Sequence, residues 1–230
     1  MSGGTRVAID VGGTFTDVVT LSGDSAALKF DKVPTTPSHP EEGVLNGFAA
    51  GGAPMADIAT FIHGTTLGLN ALLTRRGART GIVTTKGFRD VYLLGRTDRI
   101  PMYDFKYRKP ASLVERQHIV EVDERLDFEG RVLTPFDEES AIAAARTIRD
   151  LGLDAVAVSF LHSYVNPAHE VRMAEILKAE APDVVVTISS DLSRQLREYE
   201  RTSTAVLDAY IKPIVRSYLA RLETVIADRG

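Results

Sequence analysis

Residues 9–17 read Ile9-Asp10-Val11-Gly12-Gly13-Thr14-Phe15-Thr16-Asp17. An apolar, β-branched run over residues 6–10 ends in an aspartate, a glycine pair turns the chain, and hydroxyl-bearing residues open a second extended run. Lacking a Cβ, the glycines let backbone N–H groups approach a phosphate closely. Thr14 and Thr16 can add hydroxyl donors, and Asp10 offers the kind of carboxylate that holds hydrated Mg²⁺ next to phosphates. The plainer alternative is a glycine hairpin whose aspartate and threonines satisfy only local backbone. The acid, the glycine pair and the alternating threonines together favour a phosphate site lined by Asp10, Gly12, Gly13, Thr14, Phe15 and Thr16.

Outward from this turn, residues 15–21 and 26–33 read as further strands, joined by Ser22-Gly23-Asp24-Ser25, which makes a meander. Three prolines in residues 34–40 punctuate the chain, and residues 41–50 are helical in pattern, with Val44, Leu45 and Phe48 on one face. From residue 58 the pattern alternates. A strand end at 60–63 precedes a helix at 67–75, stopped by Gly77; a strand at 80–85 precedes a helical turn at 90–94. Residues 119–128 and 131–133, separated by Glu129-Gly130, predict a hairpin. A helix at 137–151, a strand at 155–160, a helix from Asn166-Pro167 to about 179 and a strand at 184–188 follow. Such alternation builds a parallel sheet covered by helices. From residue 191 the spacing of Leu192, Leu196, Tyr199, Val206, Tyr210, Ile214, Tyr218 and Leu222 predicts one long helix, bent at Pro213.

Two further stretches carry chemistry. His63-Gly64-Thr65-Thr66 stands at a strand-to-helix junction, where Thr65 or Thr66 can cap the helix and an anion is favoured at its start. His63 can donate to a phosphate or carbonyl oxygen or bind a metal, against the bland reading of an imidazole bonded to nearby backbone. Residues 95–113 form a long cationic and aromatic loop that includes Arg96, suited either to an anionic ligand or to a solvated or subunit-facing role.

Composition sets the bounds. The 230 residues are 44% apolar and 25% charged, with 18 glycines and 10 prolines, as in an ordinary globular protein. Lysines and arginines number 27 against 31 acids, a net charge of −4, so there is no global pull towards nucleic acid or an anionic membrane. Nor is there an apolar run of about 18 residues to span a bilayer. The absence of cysteine excludes thiolate chemistry, disulfides and iron–sulfur clusters. No Gly-Lys-Ser/Thr loop and no G-x-G-x-x-G fingerprint occurs. A cytoplasmic location is expected.

Residues 6–21, residues 62–75 with His63-Gly64-Thr65-Thr66, residues 81–96 with Thr84-Thr85-Lys86-Gly87-Phe88-Arg89-Asp90, and residues 197–210 with Glu198-Tyr199-Glu200-Arg201 together resemble the hydantoinase A/5-oxoprolinase family, the N-methylhydantoinase A-like subunits. The resemblance implies an α/β, actin-like ATPase (ribonuclease-H-like) N-terminal domain: a mixed sheet, flanking helices and a long C-terminal helix. It implies ATP with Mg²⁺ or another divalent metal, and a cyclic-amide substrate such as 5-oxoproline, a hydantoin or a lactam, whose carbonyl is phosphorylated for ring opening. It also implies a hydantoinase B-like second subunit in an oligomer. The turn at Asp10, Gly12, Gly13, Thr14 and Thr16 matches the family's first phosphate loop. By the same analogy Asp10 and His63 are catalytic and candidate metal ligands, and Gly64, Thr65, Thr66 and Arg96 lie at or behind the substrate.

Family subunits are longer. The implied organisation is therefore an N-terminal domain over 1–188 and the opening helix of a downstream ATPase domain over 189–230, without turnover by these residues alone. A ketone carboxylase subunit of the same family, a kinase of the actin-like superfamily and a non-catalytic assembly module stand as alternatives.

Overall fold

A computed structural model describes residues 4–23, 25–96, 103–104 and 106–228. Asp24 of the expected turn, and residues 97–102 and 105 of the long cationic loop, lie outside the described residues. The chain divides into two units, one made of residues 1–76 and 214–230, the other of 77–213.

The first unit begins with β1 (Thr5–Val11), β2 (Phe15–Leu21) and β3 (Leu28–Pro34), the expected meander. Helix α1 (Pro40–Gly51) follows, then β4 (Ile58–Thr65) and α2 (Leu67–Leu73). The sheet order is β3-β2-β1-β4, antiparallel except for the parallel β1–β4 pair. One face is packed: Val7, Ile9 and Val11 of β1 and Val18 of β2 meet Val44 and Phe48 of α1. Helix α1 lies unusually close to the sheet because Gly43, Gly47 and Gly51 recur every four residues along it. A Cβ on these three would come within 2.8 Å of Thr16 Oγ1, 2.9 Å of Val18 Cγ2 and 2.8 Å of Thr20 Oγ1.

The opposite face is open. Phe30, Val19, Ala8 and Ile62 stand in register across all four strands, with Phe30 71% and Ile62 60% exposed.

In the second unit, β5 (Thr80–Thr85), α3 (Val91–Leu94), β6 (Ile119–Val122), the short pair β7 (Arg125–Leu126) and β8 (Val132–Thr134), α4 (Glu138–Asp150), β9 (Ala155–Ser159), α5 (Ala168–Glu180) and β10 (Val185–Ile188) follow in chain order. The sheet order β10-β9-β5-β6 is wholly parallel, as the alternation predicted. The hairpin differs from expectation: residues 119–122 join the parallel sheet beside β5, and only residues 125–134 turn back on themselves. Asp137 caps α4 by accepting from Ser140 N at 2.7 Å. β9 is buried at every position: Val156 and Val158 face α4 and α5, while Ala155 and Ala157 face Ala205, Val206 and Ala209 of the last helix.

The tail is two helices rather than one. A single turn, α6 (Ser189–Leu192), is broken by extended Ser193 and by Arg197 at φ +92°, and α7 (Glu198–Ala227) begins after it. Pro213 lies inside α7, where it removes one backbone donor, and the boundary between the two units falls immediately after it. Residues 205–210 of α7 pack in the second unit, while Tyr218 and Leu222 pack in the first.

Candidate functional site

The glycine turn is built where the sequence placed it. β1 ends at Val11, Gly12 N donates to Phe15 O at 3.0 Å, and β2 begins. A Cβ on Gly12 would stand 2.8 Å from that same carbonyl oxygen, so the turn requires glycine there. Gly13 is less constrained by the fold: its Cβ would meet only the tip of Asn70, at 3.0 Å from Nδ2.

Side-chain alternation sorts the neighbouring residues onto two faces. Asp10 pairs in register with Asp17 on β2 and with Gly64 on β4, so all three share the open face. A Cβ on Gly64 would lie 3.0 Å from Asp10 Oδ1, which shows the carboxylate resting across that glycine. Asp10, Gly13, Thr14, Phe15, Gly64 and Thr65 are all exposed. On the same face Lys32 pairs with Asp17 at 2.9 Å and lies 5.5 Å from the centre of the Phe15 ring.

The opposite face receives two residues assigned to the site. Thr16 is fully buried beneath α1, and its hydroxyl is bonded to that of Thr35 at 2.8 Å. The catalytic and metal-ligand roles expected of His63 and Asp10 would need both on one face. His63 pairs in register with Ile9 instead, so its ring points to the packed face, away from the side taken by Asp10. The ring stacks on Phe61 and contacts Tyr218, and both nitrogens are engaged, Nδ1 with Ile9 O at 3.2 Å and Nε2 with the Tyr218 hydroxyl at 2.7 Å. The Ile9 carbonyl can only accept, so Nδ1 carries the proton and the Tyr218 hydroxyl donates to Nε2. Burial lowers the pKa of His63 against the opposing pull of the Ile9 carbonyl and the Asp10 charge, which keeps the ring neutral. Burial also raises the Tyr218 phenol to about 12, so it remains a donor.

Because Asp10 and His63 take opposite faces, the paired metal site expected of them is not formed. Among the described residues no group of three or more histidines and acids is placed to hold a metal ion. The donor set that remains at the turn, the Asp10 carboxylate with the Thr14 hydroxyl and the backbone N–H groups of Gly13 and Thr14, consists of hard oxygens and open N–H groups, the Gly12 N–H being held by Phe15 O. That set suits hydrated Mg²⁺ and a phosphate, and the exposed cradle beside Gly13 leaves room for both.

The His63-Gly64-Thr65-Thr66 junction closes the other side of the turn. Thr65 Oγ1 donates to Val11 O and accepts from Leu67 N, each at 3.2 Å; Thr66 N also reaches Val11 O at 3.2 Å, and Asn70 Nδ2 donates to Thr66 Oγ1 at 3.2 Å. Thr65 and Thr66 therefore fix the turn to α2 and do not point at a ligand. With only seven residues, α2 gives little of the dipole that a helix-start anion site needs. Asn70 and Lys32 were missed in the sequence. Asn70 stands four residues after Thr66, and Lys32 becomes visible only once β3 is registered against Asp17. Arg96 belongs to the other unit, where it is ion-paired with Glu200.

The profile of the hydantoinase/oxoprolinase N-terminal region matches residues 6–181. The acetophenone carboxylase gamma subunit of Aromatoleum aromaticum is 41% identical over 90% of this chain and 31% of its own length. The crystal structure of the ATP-dependent caprolactamase from Pseudomonas jessenii superposes with a TM-score of 0.84 at 32% identity, over 98% of this chain and 34% of that one. A nucleotide-free acetone carboxylase structure gives a TM-score of 0.88 at 27% identity, over 99% of this chain and 35% of that one. The chain spans about a third of the length of the curated relatives it matches.

Proposed function

The chain belongs to the hydantoinase/oxoprolinase N-terminal family, and from that premise we propose that it supplies the phosphate-binding part of an ATP-dependent enzyme subunit that opens cyclic amides. The observation that carries the reading is the exposed Asp10–Phe15 turn, which Gly12, Gly64 and the Thr65–Thr66 anchors hold open on one face of the sheet. Relatives bear the names caprolactamase and 5-oxoprolinase, and the actin-like fold shared with them matches an ATP-using role.

A lactam carbonyl is a poor electrophile. Transfer of the γ-phosphoryl group to its oxygen, with loss of the ring N–H proton and release of ADP, activates the carbon; one water adds there, the C–N bond breaks as the ring nitrogen is protonated, and a second water releases inorganic phosphate from the resulting acyl phosphate to leave a carboxylate. Such transfer depends on positioning and charge stabilisation more than on covalent help from the protein. Here the backbone N–H groups of Gly13 and Thr14 would donate to the phosphate oxygens, and Thr14 would add its hydroxyl, while Gly12 keeps its N–H on the Phe15 carbonyl. Asp10 would hold Mg²⁺, which neutralises phosphate charge when bound. His63 and Thr16 would act from behind, by fixing β1 against β4 and β2 against α1. A hydantoinase B-like partner and an oligomeric assembly belong to the same proposal, in line with the subunit names of the relatives.

A second reading, ATP-dependent carboxylation of a ketone, draws support from the 41% identity to an acetophenone carboxylase subunit and uses the same turn. The shared ATP step is tested by titrating Mg-ATP into ¹⁵N-labelled protein. The amides of Gly13 and Thr14 should shift with saturation, at about millimolar affinity for a solvent-exposed turn, and Gly13→Val should abolish the shifts. Unmoved turn amides would remove the nucleotide from this site.

A further inference from the structure

Helix α2 reads Leu67-Gly68-Leu69-Asn70-Ala71-Leu72-Leu73, so Asn70 is its only polar side chain. Asparagine is a weak helix former, because its amide competes with the backbone for hydrogen bonds, and it is favoured at caps and turns. Asn70 stands in the middle of α2, away from either cap. Its side chain makes one bond among the described residues, from Nδ2 to Thr66 Oγ1 at 3.2 Å, one turn back at the residue that precedes the helix.

That bond aims the amide. A Cβ placed on Gly13 would meet Asn70 Nδ2 at 3.0 Å, Cγ at 3.6 Å and Oδ1 at 3.8 Å, and these are its three nearest neighbours. The carboxamide therefore lies across Gly13 with its nitrogen foremost. Nδ2 carries two hydrogens. Thr66 Oγ1 takes one, and among the described residues no acceptor takes the other. Asn70 is half-buried and Gly13 exposed, so this second N–H stands at the edge of the open turn.

The support beneath it is fixed as well. Thr66 N and Thr65 Oγ1 both donate to Val11 O, each at 3.2 Å, and Val11 is the residue before Gly12. The start of α2 and the glycine turn thus share one base, which holds the carboxamide beside the N–H groups of Gly13 and Thr14.

We propose that Asn70 is a phosphate-binding residue of this turn: its second Nδ2 hydrogen is donated to an oxygen of the phosphate group that the Gly13 and Thr14 N–H groups hold. The proposal rests on the reading of the turn as an ATP phosphate site. A neutral donor suits the place. Asp10 and Asp17 already share the open face, and a third carboxylate at position 70 would repel the phosphate, whereas an amide adds a hydrogen bond to a charged acceptor, stronger than one between neutral groups. Gly13 then lacks a side chain for two reasons, since a Cβ there would displace the carboxamide as well as the phosphate.

The test follows two sets of NMR signals as Mg-ATP is titrated into the ¹⁵N-labelled chain: the backbone amides of Gly13 and Thr14, and the side-chain NH₂ of Asn70. Both sets should shift with one saturation constant, and adenosine, which has no phosphate, should move neither. Asn70→Ala should weaken Mg-ATP binding at least about tenfold, the loss expected for a hydrogen bond to a charged acceptor, with circular dichroism unchanged. Asn70→Asp, of the same size but anionic, should weaken it further. A residue that only packs α2 on the turn would give the reverse order, because aspartate keeps the shape and alanine loses it. Turn amides that shift while the Asn70 NH₂ stays still, an Asn70 shift produced by adenosine alone, or an Asn70→Ala protein that binds as tightly as wild type would each overturn the assignment and leave the reading of the turn intact. If neither set of signals moves with Mg-ATP, the reading of the turn fails and this proposal with it. The Asn70 NH₂ is followed in the wild-type chain, so the outcome does not depend on any variant folding.

Discussion

Tyr218→Phe separates a structural His63 from a catalytic one. The substitution deletes one hydroxyl and leaves His63 Nε2 without its 2.7 Å donor in a half-buried setting, while the Nδ1 bond to Ile9 O is untouched. A neutral hydrogen bond contributes about 0.5–1.5 kcal/mol, and a buried group left unpaired costs about 1–3 kcal/mol. Half burial places the expected loss at about 1–2 kcal/mol at pH 8, measured by urea denaturation with far-ultraviolet circular dichroism. His63→Leu and the double variant complete a cycle whose coupling should be about 1 kcal/mol.

The pH dependence follows from the lowered pKa of His63. The unfolded chain takes up the proton first as pH falls through its ordinary value of 6.5. Stability that is fully present above that value is then lost until the folded pKa is passed. Wild type should therefore weaken between pH 7.5 and 5 by more than His63→Leu does. A Tyr218→Phe protein as stable as wild type, with the same pH slope in His63→Leu, would show that the ring is not held as described and would return it to the list of groups free for chemistry.

Other substitutions probe separate features. Gly13→Val should remove ATP binding while the melting temperature stays within a few degrees, because its side chain meets only the Asn70 tip; Gly12→Val should lower stability outright, because its Cβ would collide with the Phe15 carbonyl. Glu170 is fully buried and accepts from Phe160 N, Ser189 Oγ, Ser190 N and Ser190 Oγ. Glu170→Ala should therefore cost about 3 kcal/mol or more, visible in a thermal melt. Gly77→Ala would place a Cβ 1.9 Å from Cε1 of Tyr210, a rigid ring, and should destabilise by at least about 1–3 kcal/mol; pairing it with Tyr210→Leu should recover part of the loss.

The architecture was legible because strands and helices here obey local rules. The β-branched run before Gly12, the helical pattern from residue 137 and the alternation after residue 58 all gave elements where they stand. Sidedness was not legible to the same degree. The parallel pairing of β1 with β4 sets Ile9 opposite His63, and one position of register decides whether the imidazole meets Asp10 or Tyr218. Thr16 was lost to the interior for the same reason, since alternation along β2 sends it beneath α1 while Phe15 and Asp17 stay outside. The close approach of α1 escaped notice because its signal is an absence of side chains: Gly43, Gly47 and Gly51 read as weak helix formers until a sheet is laid against them. The break at Ser193–Arg197 was hidden by an apolar spacing that runs on through it, with Leu192 and Leu196 exposed instead of packed.

The in-register row of Phe30, Val19, Ala8 and Ile62 has a practical side. At the usual strand spacing it is an apolar band about 14 Å long, bordered at the β3 edge by Lys29, Asp31 and Lys32, which are tied into ion pairs with one another and with Asp17. Charges along an edge discourage strand-to-strand growth, but they do nothing to wet the flat of the sheet. Any stickiness of these strands would thus be a property of the flat and not of the rim: it should grow with warming and with sulfate, favour retention on a phenyl column, and be relieved by a single charged residue at position 62, far from the glycine turn in sequence and one strand away in space.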